Sequence, residues 1–262
     1  MLCYALNALV MHLMYSKYMK TTKSQQDKTR RHILRTAVDL ITMQGYDATT
    51  MKQLAREAGI GDATIYKYFP TKERILLEYF ELNIADALKQ LDETTDMPQF
   101  TLHEKLQLLV DGVLEGLLPD REFVDIARAI VRKSPFVMMR DDMQSQHLLK
   151  ERVAGFILEA EESGEIAPCD FKNLIGGLFT DYLFAVILYW LKDESDEFSD
   201  TTQLVDLTLA IVTLALKSGV MNKMSELATF MLRSQMARMM QNGSGLLDML
   251  KTARRGLGDL AR

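Results

Sequence analysis

The chain has 262 residues, 48% of them hydrophobic and 26% charged, with five prolines, fourteen glycines and seventeen methionines. That is enough to bury a sizeable core in one large or two smaller units, and the composition excludes a disordered or collagen-like chain. Two distant cysteines, Cys3 and Cys169, argue against a disulfide framework or a cysteine metal site and fit a reducing cytoplasm. The net charge of −5 is unevenly spread. Residues 1–75 hold 12 Lys and Arg against 6 Asp and Glu, and the remainder holds 19 against 30. A basic end on an acidic body is the balance expected when one end meets a polyanion.

Residues 1–15 are apolar except for Asn7 and His12. The run is shorter than the roughly 20 residues a membrane span needs, and it lacks the flanks of a signal peptide. Residues 1–23 are expected to be an extension, disordered or loosely docked, with Met19 as a plausible natural start. From there apolar residues recur at helical spacing and no period-2 strand stands out, so the fold expected is all-α.

Ser24 or Asp27 can start a first helix with Ile33, Leu34, Ala37, Leu40 and Ile41 on one face, ending at Gly45. Thr50 and Gln53 match a capping box, which opens a short helix through Ala58. Gly59 is a natural left-handed cap. A second short helix is expected over about 62–69, stopped by Pro70, and Thr71 caps a long helix to about Leu91. Thr101 and Glu104 form another capping box before a helix to Leu118. Pro119-Asp120 starts the next, interrupted at Ser134-Pro135, and a long helix follows from about Met138 to Glu162. Asp170 is expected to cap a very apolar helix to Leu191, and Ser199 or Asp200 another through Lys217, ended by Gly219. An amphipathic helix over 222–241 and a weaker segment after Asn242-Gly243 complete the chain.

Residues 28–76 carry most of the functional signal. Leu54 and Ala55 share one face of the first short helix, Ile65 and Phe69 one face of the second, and Gly59 permits a sharp turn. Small Ala55 and Ala58 allow close approach. This is the pattern of a helix-turn-helix, whose second helix enters a DNA major groove. The run "TTMKQLAREAGIGDATIYKYFPTKERIL", preceded by Gly45-Tyr46, resembles the DNA-binding motif of the TetR/AcrR family of bacterial regulators. The resemblance covers about 50 residues, and implies a DNA-binding unit over 24–75, an effector-binding and dimerisation body over 76–219, and a C-terminal extension over 220–262.

By position, the resemblance places Asp62, Ala63, Thr64, Tyr66, Lys67 and Tyr68 on the recognition helix. Tyr66 and Tyr68 would give hydroxyls to phosphates. Lys67 would meet a phosphate or a guanine edge, and Thr64 a phosphate or a thymine methyl. Thr50, Lys52 and Lys72 would hold backbone phosphates, and Ile65 and Phe69 would be core. Many members carry a serine and a basic residue where this chain has Gly61 and Asp62. An aspartate repels phosphate, so Asp62 either caps its helix or accepts from a cytosine amine.

The resemblance also implies a homodimer through the last two helices of the body, a palindromic operator and a small-molecule effector. Candidate pocket residues are Leu109, Val113, Phe136, Met139, His147, Phe156, Phe179 and Tyr182, and for any single one of them plain core packing is the stronger reading. No cofactor, metal-ligand spacing, phosphate-binding glycine loop or nucleophile elbow is evident, so the chain is not expected to be an enzyme. The competing class is a helical membrane-associated or lipid-binding protein. It draws on the apolar runs at 1–15 and 174–191 and on the locally basic tail with Lys223, Arg233, Arg238, Lys251, Arg254 and Arg255. Asp181, in mid-run, speaks against a span there.

Overall fold

Helix ends leave backbone N–H and C=O groups unpaired, so the partners the sequence supplies decide where each helix stops. The computed structural model describes residues 24–133 and 144–241. Among them ten α-helices follow in order: α1 (24–44), α2 (Met51–Glu57), α3 (Asp62–Tyr68), α4 (Lys72–Asp92), α5 (Leu102–Leu117), α6 (Arg121–Lys133), α7 (Gln144–Glu162), α8 (Lys172–Trp190), α9 (Ser199–Lys217) and α10 (Val220–Gln241). Three short 3-10 turns, Met97–Gln99, Leu118–Asp120 and Asp196–Phe198, link the longer helices, and the described residues include no strand. The expected extension over 1–23, the break at Ser134-Pro135, the pocket candidates Phe136 and Met139, and the segment after Asn242 lie outside the described residues.

Most caps follow the sequence. The Thr71 hydroxyl accepts from the Arg74 N–H at the head of α4, and Thr101 with Glu104 forms a complete capping box at the head of α5. Thr50 accepts from the Gln53 N–H, but the Gln53 side chain is exchanged with Gln44 at 2.9 and 3.1 Å, which ties α2 to the end of α1.

Two caps differ from expectation. The residue before α8 is Phe171 rather than Asp170, and no side chain caps it. The chain turns into the helix one residue later than Asp170, where Lys172 donates to the Cys169 carbonyl at 2.6 Å. The residue before α9 is Phe198, in the left-handed region at φ 57°, so neither Ser199 nor Asp200 is the cap. Asp193 serves that end instead, its carboxylate accepting from the Thr201 N–H at 2.8 Å and the Ser195 N–H at 2.9 Å.

One apolar core runs through the chain, from Ile33, Ala37, Leu54, Ile65 and Phe69 through Leu76 to Leu109, Phe123, Val153, Phe179, Trp190 and Leu209. Helix α4 belongs to both ends of it. Ile75 and Leu76 are both buried within this unbroken helix, so the edge expected at residue 75 falls inside one element. In the body, α7 packs on α8 and α4, and α5 packs on α4 and α9.

Candidate nucleic-acid interface

Helix α2 ends in a glycine turn that fixes the direction of α3. Gly59 takes φ 64°, its N–H reaches the Arg56 carbonyl at 3.1 Å, and the Ile60 N–H reaches the Ala55 carbonyl at 2.9 Å. This is the Schellman arrangement, and it satisfies carbonyls that α2 would otherwise leave open. Two residues on, Gly61 begins α3 with its carbonyl accepting from Thr64 and Ile65. Leu54, Ala55, Ala58, Ile65 and Phe69 are all buried, so both short helices are pinned through their inner faces. The Arg30 guanidinium lies 5.4 Å from the centre of the Phe69 ring.

The outer face is polar and partly aromatic. Thr50, Lys52, Asp62, Ala63, Thr64, Tyr66 and Lys67 are exposed, with Tyr66 at 53%. Exposed Arg56 adds a cation that the sequence reading passed over, paired with Glu57 at 3.0 Å. Tyr68 is half-buried and packs against the core, so it divides itself between the two faces. Asp62 is the first helical residue and makes no cap; the cap position is Gly61, and it carries no side chain to bond with. An acidic group in the first turn still meets the positive end of the helix dipole, which accounts for an aspartate there.

Lys72 has a structural role the sequence did not show. Its ammonium donates to the Tyr46 carbonyl at 2.7 Å and the Thr49 carbonyl at 2.6 Å, and sits 4.1 Å from the centre of the Tyr46 ring. Two of its three N–H bonds are therefore committed to the α1–α2 loop, not offered to a phosphate. Beside it the Tyr46 hydroxyl donates to Glu73 at 2.5 Å. That hydrogen bond holds the Glu73 carboxyl below its usual range, while burial, then the bond to Glu73, pushes the Tyr46 phenol up. The Gly45-Tyr46 and Lys72-Glu73 pairs thus form one clamp between the start of α4 and the loop before α2. The sequence showed both pairs but no reason to join them.

Helix α1 is tied to the body by charge. Arg31 makes a two-pronged contact with Asp86 at 2.7 and 2.8 Å, and Arg30 reaches the buried Glu78 at 2.6 Å. Asp120, in the turn before α6, accepts from Arg35 at 2.8 Å and from the Tyr79 hydroxyl at 3.0 Å. Exposed pairs add little individually, but several on one helix restrict how it can rotate on α4.

Six of the eight pocket candidates lie among the described residues. Leu109, Val113, Phe156 and Phe179 are buried in the continuous core, and Tyr182 is half-buried with its hydroxyl 2.6 Å from that of Thr208. His147 is exposed on α7. Of these residues Phe156 borders a cleft of about 850 Å³ at the far end of α4, between the 93–100 loop and α7. Lys105 and Arg152 flank its ring there, at 5.8 and 5.9 Å.

A glycine-turned helix pair with a buried inner face and a cationic, hydroxyl-bearing outer face, set on a larger helical body, defines a helix-turn-helix DNA-binding protein. Comparison with known proteins gives the family. Residues 33–79 match the description "Bacterial regulatory proteins, tetR family", and residues 105–231 match "Tetracyclin repressor-like, C-terminal domain". The chain belongs to the TetR family and is a transcription regulator, not an enzyme. It is 25% identical over 191 residues to the Fatty acid metabolism regulator protein of Bacillus subtilis, covering 73% of this chain and 95% of that one. To the HTH-type transcriptional regulator AcrR of Shigella flexneri it is 26% identical over 195 residues, covering 68% and 89%. The fold is shared with the transcriptional regulator FadR of Bacillus subtilis, solved in complex with stearoyl-CoA, at a TM-score of 0.54 and 22% identity, over 68% of this chain and 96% of that one.

Proposed function

We propose that this chain is a cytoplasmic, ligand-responsive repressor that binds a palindromic operator as a homodimer. The observation that carries the reading is α3, where Thr64, Tyr66 and Lys67 face outward while Ile65 and Phe69 lock the opposite side into the core. A helix so anchored can enter a major groove without losing its place on the protein. In this reading Tyr66 gives its hydroxyl to a phosphate, Lys67 meets a phosphate or a guanine edge, and Thr64 a phosphate or a thymine methyl. Thr50 and Lys52 take phosphates beside it, and Asp62 and Ala63 line the base-facing end. Tyr68 supports the helix from its half-buried position. Lys72 positions the α1–α2 loop and keeps one N–H for DNA.

The homodimer is supported by aliphatic side chains left in the open on the last helices of the body: Leu174 and Leu178 on α8, and Leu207, Ile211 and Leu214 on α9. Patches of this kind on a soluble chain mark an interaction surface. Among the described residues α8 is long and apolar enough to cross a membrane, which is the feature the membrane-associated alternative would use. An effector would act by favouring one arrangement of the two DNA-binding units over another. Stearoyl-CoA, the ligand named for the Bacillus subtilis regulator, is the first probe to try.

The test is a mobility-shift titration of the full chain on fragments of its own promoter region, with and without stearoyl-CoA. Tyr66→Phe is expected to weaken binding about 3- to 10-fold while leaving the thermal midpoint in place, as loss of one hydroxyl contact should. A fall in the midpoint instead would make Tyr66 a core residue. Lys67→Ala should lower the salt dependence by about one unit of slope. Absence of binding to any such fragment, with the protein recovered in membranes, would favour the alternative class.

A further inference from the structure

We propose that the junction of α1, α4 and α5 binds a small uncharged molecule, an apolar body with one hydrogen-bond donor, and that its occupancy changes operator affinity. The control of DNA rests on the reading above; the site itself does not. A cleft of about 310 Å³ opens there, between Arg31, Leu34, Arg35 and Val38 on one stripe of α1, the facing side of α4, and Gly112 and Gly116 of α5. That volume is at the small end of ligand sites.

The walls define the occupant. Leu34, Val38 and Ala87 give it a buried apolar lining, and the two glycines withhold side chains from the α5 wall. Among the described residues, the charged groups at its border are two arginines and two aspartates, and they are already paired. Arg31 meets Asp86 at 2.7 and 2.8 Å, and Arg35 meets Asp120 at 2.8 Å and Asp39 at 2.9 Å. A charged ligand would have to break one of these pairs and strand a partner, whereas a neutral one leaves them intact.

Asn83 supplies the polar contact. Its side-chain oxygen is shut off from solvent and accepts no hydrogen bond among the described residues, an arrangement that is costly for a buried carbonyl. The nitrogen edge of the same amide faces Gly116, where any side chain would run into it. Turning the amide over exchanges the two edges and presents the oxygen to the cleft. A ligand hydroxyl or N–H then satisfies it, which points to the class of phenols and indoles.

The position of the cleft gives it control. Both ion pairs cross from α1 to the body at its rim, and α1 leads directly into the helix pair that carries the DNA-facing residues. A molecule touching α1, α4 and α5 at once binds best at one spacing of α1 from the body. If operator binding prefers another spacing, each ligand alters the affinity of the other by the same factor.

Equilibrium dialysis of the full chain tests the site, with indole as probe and benzothiophene as a similar shape without the N–H. Indole should bind saturably and at least about 10-fold more tightly than benzothiophene. Asn83→Leu should bring the two probes to equal affinity. Gly112→Met fills the cleft, at a position where a Cβ would lie 3.8 Å from that of Ala87, and leaves Asn83 in place. It should weaken indole binding at least about 10-fold, and it serves alone if circular dichroism shows Asn83→Leu unfolded. In a mobility shift, indole should change wild-type operator affinity at least about 5-fold and leave that of Gly112→Met unchanged. No saturable binding, equal affinity for both probes, or indole binding that survives Gly112→Met overturns the site. Saturable binding without any change in operator affinity overturns its control of DNA. If no promoter fragment is bound with or without indole, the DNA-binding reading falls, and dialysis still decides the site.

Discussion

Two helix-to-helix joints in this chain solve the same problem by opposite means. Between α2 and α3 four residues suffice, and every cap is backbone: Gly59 turns left-handed, and the Gly59 and Ile60 N–H groups close the end of α2. Between α8 and α9 the chain takes eight residues, Leu191 to Phe198, with Glu197 and Phe198 both at positive φ. There the closing groups are side chains. Arg121, from α6, donates one nitrogen to the carbonyls of Trp190, Leu191 and Asp193 at 3.0, 3.0 and 2.9 Å, and lies near the Trp190 and Phe198 rings. Asp193 then satisfies the head of α9. A joint that must aim a recognition helix is built from its own backbone, whereas the joint between the two exposed body helices depends on a distant guanidinium.

The comparison can be broken at its strongest point by Arg121→Met. Removing the guanidinium leaves three carbonyls at the end of α8 without their cation, and a loss of about 2–4 kcal/mol in urea unfolding is expected. A loss under about 1 kcal/mol would mean that water caps α8 well enough without it.

Next in size is Asp193→Asn, expected to lower the thermal midpoint at pH 7 by several degrees. Hydrogen bonds from the Ser195 and Thr201 side chains, the former first, hold the Asp193 carboxyl well below the usual carboxylate range. Its folded pKa is thus below the unfolded value near 3.9, so its contribution is complete above about pH 4 and drains away as pH falls toward the folded value. The gap between wild type and variant, followed by calorimetry from pH 7 to pH 3, should narrow in the acid part of that range. A gap independent of pH would place the effect in packing.

The smallest effect on stability belongs to the backbone joint. Gly59→Ala meets no atom within 4 Å, so its cost is only that of a side chain in the left-handed region, about 1–2 kcal/mol. The turn should survive, and operator affinity, read by mobility shift at a temperature where both proteins are folded, should change less than 3-fold. A larger loss would show that the turn shifts before it strains.

The same contrast explains what the sequence made legible. Thr50, Thr71, Thr101 with Glu104, Gly45 and Gly59 act within four residues of themselves, and the helix ends they govern fall where expected. The caps misread, Asp170 and Ser199 or Asp200, belong to ends closed by groups outside the local pattern: Asp193 sits eight residues before Thr201, and Arg121 about seventy before the carbonyls it serves. In the candidate interface, period set Ile65 and Phe69 on one face, and the family resemblance assigned Thr64, Tyr66 and Lys67 to the DNA side. The loop-holding role of Lys72 was not legible because its partners are carbonyls of residues 46 and 49, and a carbonyl leaves no mark in a sequence. The pocket candidates were mostly apolar and aromatic residues of the body helices, a property that core and cavity walls share.

Helix α4 is fastened at both ends, by Lys72 to the loop before α2 and at Asp92 to Arg152 of α7. With 21 residues it is about 31 Å long. Tilting it by about 5° about its far anchor carries the near end through about 3 Å, close to the rise of one base pair. A tilt of that size, pivoting beside the cleft at Phe156, would therefore carry the DNA-binding end through a step on the scale of the DNA ladder.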